Sequence, residues 1–307
     1  MSQWKGVYAF IVTPTKHDGE AIDADGLGRL IDHQIAEGVH GIVVFGSTGG
    51  IGSFSEPERE SVIDAAVRAA AGRLPVVAGT GAMTTAEAVR LSKFAEKAGA
   101  AGILVVPITY WKPTDDELFE HYRRVAAAVS VPVAVYNNPG LTGVEILPPL
   151  LRRLSEIDNI LYLKDSNKDI SRLAAVREAT DDKIKVFHGV DATSFYGLIG
   201  GAQGWMAGSS NIAPRLCAEI YDAAVTARDP DRAAALFERF RPVGEFMGAK
   251  GYIRVAYAAL ELLGMPMGVP RRPLRPLGEA DRESLRLVLE KARLLDRGRH
   301  DEARRTG

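Results

Sequence analysis

Short runs of apolar and β-branched residues recur along the first two thirds of the chain, separated by longer amphipathic stretches. Several of these runs, such as IVVF, ILVV and VAVY, are hydrophobic without alternation. Unbroken hydrophobic runs are typical of strands buried on both faces, as in parallel sheets covered by helices. The pattern predicts eight strands, at residues 6–12, 41–45, 75–79, 102–106, 132–136, 160–164, 184–188 and 204–207.

The stretches between the strands carry the start and stop signals of helices. Ser55 with Glu58, and Thr84 with Glu87, have the spacing of an N-cap followed by an acid in the first turn. The predicted helices include residues 25–37, 57–71, 85–97 and 115–128. Three glycines follow them as candidates for a left-handed C-terminal cap: Gly38, Gly72 and Gly99.

Eight strands in strict alternation with helices predict an α/β fold, a closed (β/α)₈ TIM barrel. The alternative is an open doubly wound sheet, but no strand is followed by the dinucleotide fingerprint. From residue 229 the pattern is helical only, with predicted helices at 231–246, 250–263 and 281–295. We therefore predict a barrel over residues 1–228 and a C-terminal helical extension over 229–307, whose charged tail after Leu295 is expected to fray.

Composition narrows the class of protein. Apolar residues make up 46% and charged residues 25% of the chain, as in ordinary globular proteins. A formal net charge of −1 argues against nucleic acid or an anionic membrane as the main partner. Cys217 is the single cysteine, so it forms no intrachain disulfide, and we expect a buried small hydrophobe. No apolar run is long enough to span a bilayer and the N-terminus lacks a basic leader, so a cytoplasmic location is expected.

Active sites of TIM barrels form at the carboxyl ends of the strands, which limits the candidate residues. Lys164 ends the sixth predicted strand and would point into the barrel mouth. Burial disfavours the ammonium form, and the free amine is the form that attacks a carbonyl. The alternative is a strand-end lysine that pairs with Asp165 or another acid.

Tyr136 and a hydroxyl-bearing turn are the other candidates. Tyr136 ends the strand before Lys164, close enough for a phenol to exchange protons with a ligand held by the amine. A packed core tyrosine is the alternative. The turn Gly46-Ser47-Thr48-Gly49 offers backbone N–H groups and two hydroxyls to a carboxylate, or is simply a tight turn between strand and helix.

Nothing in the sequence indicates a metal or nucleotide site. The six histidines show no HxH or HExxH spacing, and the glycines after the second strand match neither G-x-G-x-x-G nor a P-loop. His188 lies near the end of the seventh strand, where a packed or hydrogen-bonded histidine is expected.

In combination, Gly46-Ser47-Thr48-Gly49, Tyr136-Asn137-x-Pro139 and Lys164 resemble the dihydrodipicolinate synthase / N-acetylneuraminate lyase superfamily over nearly the whole chain. The resemblance implies a class I aldolase or lyase that uses no metal or organic cofactor. It also implies a homotetramer, often a dimer of dimers.

The resemblance also assigns roles. Lys164 would form a Schiff base with pyruvate or another 2-oxo acid, and Tyr136 would move protons near that nitrogen. Ser47 would join the proton relay, and with Thr48 would hold the carboxylate of the keto acid. The remaining implied residues are Tyr110, a relay tyrosine given to a neighbouring subunit; Met206, whose main chain contacts pyruvate; and Gly189 and Asp191, which line the substrate side.

The sequence departs from the family pattern at three places. Synthases carry an arginine that binds the carboxylate of aspartate-semialdehyde, where this chain has Leu141; leucine cannot donate those bonds. Gly50 stands where glutamate is common. Ala192 stands where sialate lyases carry an acid that helps to bind the sugar. We therefore expect a lyase of this family, and the sequence does not identify its second substrate. The alternatives are a true 4-hydroxy-tetrahydrodipicolinate synthase, a 2-keto-3-deoxy sugar acid aldolase or dehydratase, and a non-catalytic keto-acid-binding paralogue.

Overall fold

The computed structural model describes residues 4–295, and these residues form a closed barrel of eight parallel strands. Each strand pairs with the next along the chain, and β8 pairs with β1. This confirms the predicted TIM barrel. The strands are β1 Gly6–Phe10, β2 Gly41–Val44, β3 Val76–Gly79, β4 Gly102–Val105, β5 Val133–Asn137, β6 Ile160–Asp165, β7 Lys185–His188 and β8 Gly204–Ala207.

Helices surround the barrel and continue beyond it. They are α1 Ala24–Ala36, α2 Glu56–Ala70, α3 Thr85–Ala98, α4 Asp115–Ala127, α5 Pro139–Thr142, α6 Pro148–Leu154, α7 Arg172–Ala179, α8 Ser194–Ile199, α9 Pro214–Tyr221, α10 Pro230–Lys250, α11 Tyr252–Leu262 and α12 Glu279–Lys291. The predicted caps form: the backbone N–H of Ser55 donates to Glu58 Oε2 at 2.8 Å, and Glu87 N donates to Thr84 Oγ1 at 3.2 Å. The three predicted glycines, Gly38, Gly72 and Gly99, all have positive φ.

The ends of several strands differ from the prediction. β1 ends at Phe10, not at Val12, because Asn211 takes over the pairing. Its Oδ1 accepts from Val12 N at 3.0 Å and its Nδ2 donates to Phe10 O at 2.8 Å. β5 and β6 each run one residue further than predicted, since Asn137 and Asp165 still pair.

Apolar side chains fill two separate layers. One layer lies between the barrel and its helices. The other lies inside the barrel and is formed by alternate residues of each strand, including Phe10, Ala134, Tyr136, Tyr162 and Met206. Because residues i and i+2 of a strand share a face, the inward row of β6 continues from Tyr162 to Lys164.

A register shift between β5 and β6 places the candidate residues side by side. Val133 pairs with Ile160, but Ala134 pairs with Tyr162, so Leu161 has no partner on β5. Without this extra residue, Tyr136 would be opposite Leu163. With it, Tyr136 is opposite Lys164.

The C-terminal helices pack on the barrel and on one of its upper turns. A Cβ on Gly244 of α10 would lie 3.1 Å from the backbone at Asp191 and Ala192, so this glycine allows close contact with the turn after β7. The prediction that the last helix extends to 295 is wrong. α12 ends at Lys291, and Arg293 has a φ of 54°, which is not helical. The expected frayed tail after Leu295 lies outside the described residues. Among residues 4–295, no helix combines the length and apolarity needed to cross a bilayer.

Candidate active site

Lys164 lies inside the barrel mouth, with 4% of its surface exposed. Its Nζ is 3.2 Å from the centroid of the Phe10 ring and 4.4 Å from that of Tyr136. Gly46 makes room for this arrangement, because a Cβ there would lie 2.1 Å from the Phe10 ring. The amine therefore has aromatic faces around it in place of water.

This environment shifts the amine toward its neutral form. Burial lowers the pKa of Lys164, while Tyr136 and Asp191 oppose that shift. A desolvated amine with a lowered pKa is the nucleophile that imine formation requires. The alternative from the sequence, pairing with Asp165, does not match the hydrogen bonds of that acid. Asp165 Oδ2 accepts from Arg172 Nε at 3.0 Å, and its Oδ1 accepts from Asn137 Nδ2 at 2.8 Å.

The phenol oxygen of Tyr136 is the centre of a compact polar cluster. Ser47 Oγ lies 3.2 Å from it, and Asn138 Nδ2 donates to it at 2.9 Å. The same amide nitrogen lies 3.4 Å from Ser47 Oγ. Burial works to raise the pKa of Tyr136, but the charge of Lys164 and the hydrogen bonds from Ser47, Ser166 and Lys164 outweigh it and lower the pKa. The phenol is thus prepared to lose and regain a proton beside the amine.

Gly189 gives the lysine side chain its space. A Cβ at this position would lie 2.9 Å from Lys164 Cε and 2.3 Å from Ser166 Oγ. Its N–H donates to Asp165 O at 2.8 Å, which ties the loop after β7 to the end of β6. Any larger residue would displace the amine from its position in the mouth.

Asp191 belongs to the same loop and is fully buried. Its Oδ1 accepts from Trp205 Nε1 and its Oδ2 from Ser209 N, both at 2.8 Å. Burial raises the pKa of Asp191 to about 6. The carboxylate therefore joins the loops after β7 and β8, and it acts on Lys164 through its charge.

His188 behaves as the sequence suggested. It is buried, its Nε2 lies 2.9 Å from Thr193 Oγ1, and burial lowers its pKa to about 4. A neutral imidazole here adds no second positive charge beside the lysine.

The C-terminal region contributes one side chain to the site. The hydroxyl of Tyr252, on α11, interacts with Asp191, and burial raises the pKa of this tyrosine. Its ring lies over Gly208, where a Cβ would be 2.6 Å from Tyr252 Cδ1 and 3.0 Å from Thr48 Oγ1. Thr48 is itself buried.

The other candidates are not all gathered at the lysine. Met206 is buried, with its side chain in the inner core layer. Leu141 lies on the short helix α5, which begins directly after Asn138, and is 72% exposed. Tyr110 is 82% exposed and stacks edge to face on Trp111, so within one chain it presents its ring to the outside. In the described part of the chain, no group of three or more His, Cys, Asp or Glu side chains could hold a metal ion.

Sequence reasoning missed Phe10, Asn138 and Tyr252. Asn138 had a usable signal, because it stands inside the Tyr136-Asn137-x-Pro139 motif, directly after the end of β5. Phe10 had a different signal, as an inward residue of β1. Tyr252 had none, since it comes from a helix that meets the barrel only in the folded protein.

The chain is similar to known proteins over nearly its whole length. Residues 3–292 match the model of the Dihydrodipicolinate synthetase family. The chain belongs to this family. A 4-hydroxy-tetrahydrodipicolinate synthase from Afipia carboxidovorans is 35% identical over 295 residues, which cover 96% of this chain and 99% of the relative.

Solved structures show the same relationship. A putative dihydrodipicolinate synthetase from Pseudomonas aeruginosa superposes with a TM-score of 0.91 at 35% identity, covering 94% of this chain and 100% of that one. The chloride-inhibited dihydrodipicolinate synthase from Acinetobacter baumannii, complexed with pyruvate, gives a TM-score of 0.90 at 35% identity, covering 95% and 99% of the two chains. This chain is thus a Schiff-base-forming lyase of the aldolase type, acting on pyruvate or another 2-oxo acid.

Proposed function

We propose that Lys164 is the Schiff-base lysine and that pyruvate, or a close 2-oxo acid, is its first substrate. The observation that carries this is the desolvated amine, 3.2 Å from the Phe10 ring centroid, beside a phenol whose pKa is lowered. Lys164 Nζ attacks the keto carbon, and the carbonyl oxygen takes protons and leaves as water. Loss of a proton from C3 of the imine then gives an enamine.

Protons move through Tyr136 and Ser47 in this proposal. Tyr136 donates to the oxygen of the carbinolamine and recovers a proton through Ser47, which is partly exposed and reaches solvent. Tyr110 of a neighbouring subunit would complete the relay. Ser47, Thr48 and the main chain at Met206 would hold the carboxylate of the keto acid, with Gly189 and Asp191 shaping the opposite side.

The second substrate, we propose, has no carboxylate facing Leu141. Leu141 can donate no bond from its side chain. Arg271, a basic group beside the turn that bears Thr48, is already committed: its guanidinium donates to Glu58 Oε1 at 2.8 Å, to Ser53 O at 3.2 Å and to Gly19 O at 3.3 Å. An uncharged aldehyde, such as one released from a 2-keto-3-deoxy sugar acid, suits this edge of the site. The enamine would then form or break a C–C bond with it, or the imine would support a dehydration.

The second candidate function is 4-hydroxy-tetrahydrodipicolinate synthase itself. It is favoured by the names of the curated relatives, which are 35–37% identical over more than nine tenths of this chain. Leu141 weighs against it. The two candidates share the imine step and separate only at the second substrate.

Further properties of the family form part of the proposal. The reaction would need no metal or organic cofactor beyond the lysine imine. The protein would work as a homotetramer in the cytoplasm. Residues 229–307 would serve as a C-terminal extension of the barrel, not as a second catalytic domain.

The imine is tested by trapping. We expect one reduced adduct on Lys164, located by peptide mass analysis, when the protein is treated with pyruvate and borohydride. A panel of other 2-oxo acids, added in competition, would rank the first substrate. A folded protein that acquires no adduct with any of them would refute the proposed function.

Leu141→Arg is expected to move the second-substrate preference. The new guanidinium would add a charge-assisted contact worth about 1.5–3 kcal/mol, so kcat/KM for aspartate-semialdehyde should rise roughly 10- to 100-fold. Leu147→Arg is the matched control, because Leu147 is an exposed leucine further along the same connection between β5 and β6. Wild-type turnover of aspartate-semialdehyde at the rate of the best uncharged aldehyde would contradict our interpretation of Leu141 and support the synthase.

A further inference from the structure

The side-chain amide of Asn138 lies against both hydroxyl oxygens of the proposed proton relay, those of Tyr136 and Ser47. Its Nδ2 is 2.9 Å from the phenol oxygen of Tyr136 and 3.4 Å from Ser47 Oγ, and the residue is 9% exposed. The position is held firmly. The backbone oxygen of Asn138 accepts from the N–H groups of Leu141 and Thr142, both at 3.0 Å, and from Thr142 Oγ1 at 3.1 Å.

An amide NH₂ group has two donors and no acceptor, so it cannot pass a proton on. When it donates to the phenol oxygen, that oxygen accepts from Asn138 and keeps its own hydrogen for another group. Lys164, Ser47 and Ser166 lie within hydrogen-bond reach of Tyr136, and of these three Lys164 is the group that would carry the substrate. A second hydrogen of the amide is directed at Ser47. The two hydroxyl groups therefore receive a fixed orientation from one side chain.

We propose that Asn138 is a positioning residue that keeps the Tyr136 proton directed at the carbinolamine formed on Lys164, whose oxygen takes that proton, and that holds the phenolate once the proton has left. The proposal rests on the proposed function, because it concerns the same imine step. It goes beyond that function because it gives a role to Asn138, a side chain of the same subunit as Lys164. The orientation of the Tyr136 hydroxyl then does not depend on Tyr110 of a neighbouring subunit.

The physical basis is the strength of a hydrogen bond to a charged acceptor in a dry site. A neutral donor gains strength when its acceptor becomes an anion, and water does not compete for a buried phenolate. The amide therefore stabilises the state after proton transfer more than the state before it. That difference lowers the barrier instead of merely tightening binding.

Two variants test this role: Asn138→Leu, which keeps the approximate shape and removes the donor, and Asn138→Asp, which is nearly isosteric and puts a carboxylate against the phenol. The rate of borohydride-trapped imine formation with pyruvate is measured from acid to alkaline pH. For Asn138→Leu we expect a loss on the order of 10- to 100-fold, the range of one buried hydrogen bond. Asn138→Asp should lose at least as much.

The pH profile separates this role from a structural one. The acid side follows the pKa of Lys164, on which the buried Asp191 and His188 also act. It should stay in place in Asn138→Leu and move to higher pH in Asn138→Asp, whose carboxylate lies close to the amine. The alkaline side follows Tyr136, which Tyr252 also faces. Both variants should move it to higher pH, because the phenolate loses a donor or meets a like charge.

Thr142→Val is the matched control. It removes the hydroxyl that accepts from Val144 N at 3.2 Å and donates to Asn138 O, so it loosens the same turn and leaves the amide in place. Its alkaline side should not move. Thermal melting of each variant verifies folding, and if Asn138→Leu does not fold, the near-isosteric Asn138→Asp carries the test.

Each outcome has one meaning. An alkaline side that moves to lower pH in Asn138→Leu would show that the amide oxygen, not the nitrogen, faces the phenol, and would overturn the proposal. So would an unchanged profile in both variants. If wild type itself forms no adduct with pyruvate, the proposed function fails first, and the failure is visible before any variant is compared.

Discussion

Replacing Lys164 with alanine is expected to lower turnover by a factor on the order of 10⁴ or more, as when other enzymes lose their catalytic nucleophile. The amine is the only atom of this side chain that can form the imine. No other lysine is brought to the barrel mouth by β6. Lys164→Arg should fail equally, because a guanidinium keeps its proton and does not attack carbonyls.

Two further measurements make this prediction specific. Lys164→Ala leaves a space lined by Phe10 and Tyr136, so a small primary amine added to the assay should restore part of the activity. Lys185→Ala is the control. Lys185 begins β7 and is ion-paired with Asp182, and its loss should leave imine formation unchanged. A Lys164→Ala protein that still acquires the pyruvate adduct would show that another lysine is the nucleophile.

Replacing Arg172 with leucine is expected to destabilise the protein by roughly 3–5 kcal/mol, the cost of leaving one partner of a buried ion pair alone. Arg172 is 8% exposed. Its Nε donates to Asp165 Oδ2 at 3.0 Å and its Nη2 to Ile146 O at 2.9 Å, while Nη1 bonds Glu145 at 3.1 Å. The variant would leave the buried carboxylate of Asp165, the residue that follows Lys164 in the sequence, without its arginine partner.

The measurement is the shift of the apparent melting temperature, with Asp165→Asn and the double variant completing a cycle. The double variant should lose less than the sum of the single losses, because the two groups share one interaction. Arg177→Leu is the matched control on the same helix. Its half-exposed ion pair with Asp182 should contribute at most about 1 kcal/mol. Equal losses from Arg172→Leu and Arg177→Leu would contradict the account of the buried pair.

The pattern of the sequence was sufficient for the elements of the fold, because local signals specify them. Unbroken apolar runs locate β1 to β8, and capping residues such as Ser55 and Thr84 locate helix starts. The strand ends were less well predicted. The end of β1 depends on Asn211, which is 201 residues away from Phe10 along the chain, and no local pattern contains that contact.

Motifs named Lys164, Tyr136 and Ser47 as candidates, and position at strand ends explains why. The motifs could not state whether the side chains of these three residues lie in contact in the folded protein. That contact depends on the register shift at Leu161, which is set by how two strands distant in sequence pack, and on Gly189, whose missing side chain admits the lysine.

The sequence by itself therefore determined the barrel, the order of its elements and the lysine and tyrosine at neighbouring strand ends. These features follow from hydrophobic period and from the single edge at which parallel strands end. Only the tertiary structure decided that Asn138 lies against Ser47, that Asp191 lies buried and that α11 brings Tyr252 to the site. Those contacts join segments whose distance in space is independent of their distance along the chain, so no local rule could contain them.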